Sequence, residues 1–186
     1  MPIVPPREAL ARLKAGNETY LQAKTNEGDV SPEIREKTAR EGQFPYAIIL
    51  ACSDSRVIPE AVFSAGIGEL FVIRVAGNVI DNHQLGSIEY AASHLGTRLV
   101  VVLGHTHCGA VGAAIHHEKG GYIGSIVEEI EQAIGTETDD EKASILNARY
   151  NADQIRNAFI HDFKNNGVEV VPAVYEVDTG RVEFLE

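Results

Sequence analysis

Leu99-Val-Val-Val-Leu-Gly104 carries no polar side chain, and it runs directly into His105-Thr-His-Cys108. The same arrangement occurs earlier in the chain, where Tyr46-Ala-Ile-Ile-Leu-Ala51 leads into Cys52-Ser-Asp-Ser-Arg56. Short apolar runs of this kind read as strands buried on both faces, the habit of parallel sheets. In open α/β sheets, ligands gather at the carboxyl ends of the strands. Cys52 and Cys108 are the only two cysteines, and each stands at such an end.

Outward from these runs, residues 70–75 and 168–175 read as two further strands. Helical patterns fill the intervals at 59–65, 85–95, 109–117, 122–134 and 141–163. The last is the clearest, with Ile145, Ala148, Ala152, Ile155, Phe159 and Phe163 on one stripe and Gly167 placed to end it. Residues 7–23 form another helix, marked at its start by Pro5-Pro6. The polar stretch 24–41 reads as a loop with a short helix after Ser31-Pro32. Strands alternating with helices predict an α/β fold with a mostly parallel central sheet of four strands flanked by helices. Residues 181–185 follow the turn Asp178-Thr-Gly180, so they are expected to return as an antiparallel edge strand.

Composition narrows the class. The chain has 186 residues, 44% hydrophobic and 23% charged, which suits one globular domain with a sizeable core. A formal net charge of −11 argues against sequence-independent nucleic-acid binding and against an anionic membrane surface as partner. The apolar runs are far too short to span a bilayer. Met1-Pro-Ile-Val-Pro-Pro lacks a basic region followed by an apolar stretch, so a cytoplasmic, reducing setting is expected. There, metal binding or catalysis outranks a disulfide.

Two thiols and an imidazole outline a metal site. Such a donor set suits Zn²⁺, which favours tetrahedral N/S coordination and, with three protein ligands, keeps one position open. His105 and Cys108 are three apart at a strand-to-helix turn, and Cys52 arrives from the other strand. Taken singly, each cysteine is as well explained as a small buried hydrophobe. Asp54 and Arg56 are two apart and suit a charge-assisted, bidentate pair. Such a pair either fixes the loop or holds an ionised acceptor beside the metal. Alternatively, Asp54 itself becomes the fourth ligand.

Cys52-Ser-Asp-Ser-Arg56 together with His105-Thr-His-Cys108-Gly109 resembles the paired signature of the β-class carbonic anhydrases. The resemblance continues through Ala9-Leu-Ala-Arg-Leu-Lys-Ala-Gly-Asn17, Gly42-Gln-Phe-Pro45, Gly68-Glu-Leu-Phe-Val-Ile-Arg-Val-Ala-Gly-Asn78, Gly86-Ser-Ile-Glu-Tyr-Ala91 and Ala173-Val-Tyr. It implies one Zn²⁺ per subunit on Cys52, His105 and Cys108, with Asp54 and Arg56 as the catalytic dyad. It also implies a substrate pocket of Gln43, Phe71, Ala76, Tyr90 and the backbone of Gly109, built at a dimer interface. The implied reaction is reversible hydration of CO₂ to bicarbonate and a proton, by attack of zinc-bound hydroxide. The implied assembly is a homodimer or a dimer of dimers. Residues 1–186 would form a single domain, and residues 1–25 a helical arm clasping the partner subunit.

Two departures and two rivals accompany this resemblance. Some members build an inhibitory bicarbonate site around a tryptophan three residues before the first cysteine ligand. Here Ile49 stands there and the chain has no tryptophan. Arg74 matches the arginine of that site, but no regulatory site of that design is expected. Carbonyl sulfide or carbon disulfide hydrolysis is one rival, since close relatives perform it on the same scaffold. Gln43 and Tyr90, which match the hydratase pocket, favour CO₂. The other rival is a catalytically silent, zinc-stabilised regulatory protein, which the intact Asp54 and Arg56 disfavour.

Overall fold

The two apolar runs lie side by side in the computed structural model, which describes residues 3–185. Among the described residues, five strands form one sheet: β1 (Ala47–Ala51), β2 (Leu70–Arg74), β3 (Leu99–His105), β4 (Glu169–Tyr175) and β5 (Val182–Phe184). Their spatial order is β2-β1-β3-β4-β5, with β5 antiparallel to β4 and every other pairing parallel. This is the mostly parallel sheet with an antiparallel edge that the sequence predicts. Among the described residues, eight α-helices flank it: α1 (Pro6–Gln22), α2 (Pro32–Glu41), α3 (Pro59–Val62), α4 (Asn82–His94), α5 (Gly109–Ile115), α6 (Ile123–Ile134), α7 (Asp140–Ala158) and α8 (Ile160–Asn166).

Every residue of β1 and β3 is buried, because both faces of the sheet are covered. Strand pleating sorts the side chains. Ala47, Ile49, Ala51, Val101 and Leu103 pack with Ala9 and Leu13 of α1 and with Phe63. Ile48, Leu50, Val100 and Val102 pack on the other face with Ile88 and Ala91 of α4 and Ala148, Ala152 and Ile155 of α7. Full burial of each large aliphatic is worth about 1.5–3 kcal/mol. No helix among the described residues is long and apolar enough to cross a membrane.

The chain leaves β1 for β2 on one side and later returns to β3 on the other. The gap between the carboxyl ends of β1 and β3 is therefore the topological switch point, where such sheets bind ligands. Ala51 pairs with Leu103, which brings Cys52 level with Gly104 and next to His105.

Three helices differ from the sequence reading. The helix expected over 59–65 is one turn, because Phe63 leaves helical dihedrals and Ser64 takes a left-handed φ of 48°. The helix expected from Leu85 begins at Asn82, started by a capping box between Asp81 and Gln84. The long helix expected over 141–163 breaks at Phe159, whose φ and ψ are −116° and 25°. The apolar stripe survives the break, with Phe159 stacked on Phe163 at 4.6 Å, and left-handed Gly167 ends α8 as anticipated. Ala9 and Leu13 of α1 are fully buried against their own chain, while Leu10 and Leu21 of the same helix are only half-buried.

Asn17 of α1 locks the layers together. Its Nδ2 donates to the carbonyls of Val62 (3.1 Å) and Gly180 (2.9 Å), and its Oδ1 accepts from the Val182 N–H (2.9 Å). Asn17→Ala leaves these groups buried without partners. It should lower unfolding stability by about 2–4 kcal/mol, at roughly 1 kcal/mol or more per orphaned group, as read by urea denaturation. A change below about 0.5 kcal/mol, the size of an ordinary surface substitution, would contradict the role.

Candidate metal centre

Three chain segments end at one point. Cys52 is the first residue after β1, His105 the last of β3, and Cys108 the residue that precedes α5. All three are buried, and their donor atoms lie within 4.8 Å of one another. Neither cysteine is in a disulfide. The imidazole Nδ1 of His105 hydrogen-bonds the Thr106 carbonyl at 2.9 Å, which requires its proton there, so in the neutral ring Nε2 carries the lone pair. That Nε2 is buried and has no hydrogen-bond partner among the described residues. A buried acceptor without a partner is costly unless a cation meets it.

The adjacent Cys108 side chain holds the Cys52 thiol well below its ordinary range, against an opposing effect of burial, and the Cys52 side chain together with burial pushes the Cys108 thiol up. Two sulfurs and one imidazole nitrogen, converging with no fourth His, Cys or carboxylate donor among the described residues, fit a divalent metal of intermediate softness. These residues could hold such an ion once both thiols are deprotonated.

Backbone and polar side chains hold the ligands. The Gly77 N–H donates to Cys52 Sγ at 3.3 Å. Gly77 has a φ of 69°, and a Cβ there would stand 2.7 Å from Ile130 Cδ1, so the position needs glycine twice over. Asn147 of α7 fixes that peptide by donating to the Gly77 carbonyl at 2.8 Å. Arg74 donates to the carbonyls of Cys52 (3.1 Å) and Asp54 (2.6 Å), so its guanidinium is spent on the loop. Ile49, at the position of the tryptophan, is fully buried in the core.

Asp54 and Arg56 form a bidentate pair. Arg56 Nε donates to Oδ1 (2.9 Å) and Nη2 to Oδ2 (2.7 Å), while the Arg56 backbone N–H adds a third bond to Oδ1 (2.9 Å). Asp54 stands outside the three-residue donor cluster. The hydrogen bond from the guanidinium holds the Asp54 carboxyl well below the usual carboxylate range, against a smaller opposing effect of burial.

The expected pocket residues divide into two groups. Ala76 begins the short 3₁₀ turn that carries Gly77, and Gly109 opens α5 beside Cys108. Phe71 and Tyr90 touch each other, with ring centroids 6.2 Å apart. However, Phe71 pairs with Ile48, four residues before Cys52, or about 13 Å back along the strand. Gln43 lies exposed before β1 begins, at the opposite end of that strand from Cys52. One chain therefore does not bring Gln43, Phe71 and Tyr90 to the cysteines. Sequence reading missed Gly77 and Asn147 and gave Arg74 no structural task. Asn147 and Asn151, four apart among the buried residues of α7, were the available signal.

The family model described as carbonic anhydrase matches residues 47–182. The chain is 37% identical to carbonic anhydrase 2 of Mycobacterium tuberculosis over 97% of its own length and 93% of the relative's. Among solved structures, it is similar to the β-carbonic anhydrase CafA of Aspergillus fumigatus, with a TM-score of 0.73 and 26% identity, covering 83% of this chain and 81% of that one. It is also similar to a tetrameric β-carbonic anhydrase from Sordaria macrospora, with a TM-score of 0.72 and 26% identity, covering 83% and 87%.

The low carboxyl value of Asp54 makes the pair a pH-dependent contributor to stability. Its contribution is present above the unfolded carboxyl value of ~3.9 and is lost as pH falls from there through the folded value. In Arg56→Ala, the Asp54 carboxyl should titrate close to ~3.9, as followed by carbon-13 NMR. The stability gap between wild type and variant should narrow on acidification. An unchanged Asp54 titration in the variant would show that Arg56 does not hold it ionised.

Proposed function

Because this chain belongs to the carbonic anhydrase family, in its β class, we propose that it hydrates CO₂ reversibly to bicarbonate and a proton. The proposed centre is one Zn²⁺ per subunit on Cys52, His105 and Cys108. The observation that carries this reading is the buried, partnerless Nε2 of His105 facing two sulfurs, with Asp54 held aside by Arg56. Zinc in such a site supplies Lewis acidity that brings a water's pKa from 15.7 to near 7.

The chain's own residues do the rest. Cys52 and Cys108 bind as thiolates, giving up thiol protons when the metal enters. Thr106 keeps the His105 Nδ1 proton in place, so Nε2 stays available. Asp54, held ionised by Arg56, accepts a hydrogen bond from the attacking water and turns its lone pair towards the CO₂ carbon. The bidentate Arg56 also keeps Asp54 from taking the fourth position itself, which favours an open site. CO₂ is small, apolar and uncharged, so a narrow apolar slot with few polar groups suits it. Ala76 and the Gly109 N–H line that slot from the metal's own chain. Gln43, Phe71 and Tyr90 stand away from the cysteines in one chain, which supports their being supplied by a second copy. We take the working unit to be a homodimer, with a dimer of dimers in keeping with the tetrameric relative. The free thiols suit a reducing, cytoplasmic setting.

Stopped-flow CO₂ hydration with metal analysis tests this. The wild type should carry one zinc per chain and hydrate CO₂, and Asp54→Asn should keep its zinc while losing roughly a hundred-fold in kcat. Fully zinc-loaded wild type with no activity above background would sink the reading. The two-copy pocket has its own test. Gln43→Ala and Asp54→Asn chains, each impaired alone, should regain activity when mixed, because one site of the hybrid pair then holds both intact residues. A mixture no more active than its parts would place Gln43 outside the partner's pocket.

A further inference from the structure

Asp54 and Arg56 belong to one short loop, so they cannot fix their own direction relative to the fold. Arg74 fastens the backbone of that loop. The Arg56 guanidinium needs an anchor elsewhere, since its side chain is 47% exposed. Among the described hydrogen bonds, one carries it to another segment: Nη2 donates to the His107 carbonyl at 2.9 Å. The aim of that carbonyl therefore sets the aim of the pair.

His107 presents the carbonyl from a left-handed conformation, with a φ of 56°. A residue with a Cβ enters that region at a cost and stays only when neighbours hold it there. Two carboxylates do so from different elements. Asp140 Oδ2, in the first turn of α7, accepts the His107 backbone N–H at 2.8 Å. Asp178 Oδ2, in the turn before β5, meets the ring Nε2 at 3.1 Å. Asp140 is not the cap of its own helix. That task belongs to Asp139, which accepts the Lys142 N–H at 3.0 Å.

We propose that Asp140 is a positioning residue for the Asp54–Arg56 pair, acting through the His107 peptide. Its carboxylate holds the left-handed turn, the turn aims the carbonyl, and the carbonyl steadies Arg56. The proposal rests on the reading above, in which Asp54 orients the attacking water. A plainer role for Asp140 is charge complementarity with the start of α7. The two roles separate by substitution. Asparagine loses the charge but keeps a side-chain oxygen that can accept the His107 N–H, whereas alanine loses both.

The test uses zinc-loaded full-length enzyme. Asp140→Ala should lower kcat for CO₂ hydration roughly ten-fold, the lower end for loss of a supporting contact, with KM and zinc content little changed. Asp140→Asn should recover most of that loss. On an Arg56→Ala background, Asp140→Ala should cost nothing further. Crystal structures supply a readout independent of activity: in Asp140→Ala the His107 carbonyl turns away and Arg56 leaves its bidentate contact, whereas in Asp140→Asn both stay. Asp140→Ser, whose shorter side chain carries no carboxylate or amide oxygen for the His107 N–H, gives the same reading if the alanine variant does not fold. Equal damage in Asp140→Asn and Asp140→Ala, additive losses with Arg56→Ala, or an unmoved Arg56 in the alanine structure would each overturn the proposal. An inactive but zinc-loaded wild type would instead overturn the reading of the reaction, and the crystal structures would still decide whether Asp140 holds the turn.

Discussion

Parallel pairing of β1 with β3 is the constraint on which the site depends. Parallel strands point their carboxyl ends the same way, so whatever follows each strand emerges on one side of the sheet. The register then sets the height. With Ala51 opposite Leu103, Cys52 arrives beside His105, and the turn at 106–108 returns Cys108 to the same place. A shift of one residue along either strand would send alternate side chains to the wrong face of the core and separate the sulfurs. The packing that fixes the register is purely apolar, from Ile48, Ile49, Val101 and Leu103. Hydrophobic burial thus sets the geometry of the centre, and the two cysteines themselves belong to a buried cluster with Val79, Val111, Val127 and Ile130.

The loops hold their shape by a different means. The segments after the strands are also tied by polar contacts to their peptide groups. Arg74 takes the carbonyls of Cys52 and Asp54 after β1, Asn147 takes that of Gly77 after β2, and Thr106 Oγ1, after β3, accepts the Val177 N–H at 3.1 Å. Each of these residues satisfies a peptide group that would otherwise sit unpaired near a low-dielectric centre. Rigidity at the site is therefore contributed by β2, α7 and the start of the β4–β5 turn as much as by the metal-facing loops.

The sequence carried the sheet and the donor set plainly. Runs such as Leu99–Val102 have no alternative to burial, and two lone cysteines at matching strand ends are a dense signal. The β5 return and the Gly167 stop were also legible, since a turn and a left-handed cap each need particular residues. Helix limits were harder to read. The break at Phe159 keeps the apolar stripe in phase, so periodicity passes over it. The single turn of α3 ends because Ser64 goes left-handed, which its side chain does not announce. Second-layer contacts were the least legible. Arg74 reads as any charged residue after a strand, and its two carbonyl partners exist only once β1 and β2 are paired. The split of Gln43 and Phe71 from the cysteines was equally hidden, because it follows from strand direction and not from residue type.

The peptide N–H of Gly77 on the Cys52 sulfur has a consequence for how the site withstands mutation. Two thiolates donate more charge to a metal than imidazoles do, and a hydrogen bond to one sulfur withdraws part of that charge. The electronic character of the centre is thus adjusted by main chain, which every residue except proline would supply. What replacement at this position threatens is space and backbone conformation, not the hydrogen-bond donor. The tuning is inherited with the fold itself, and it would persist through drift in the surrounding side chains for as long as the turn keeps its path.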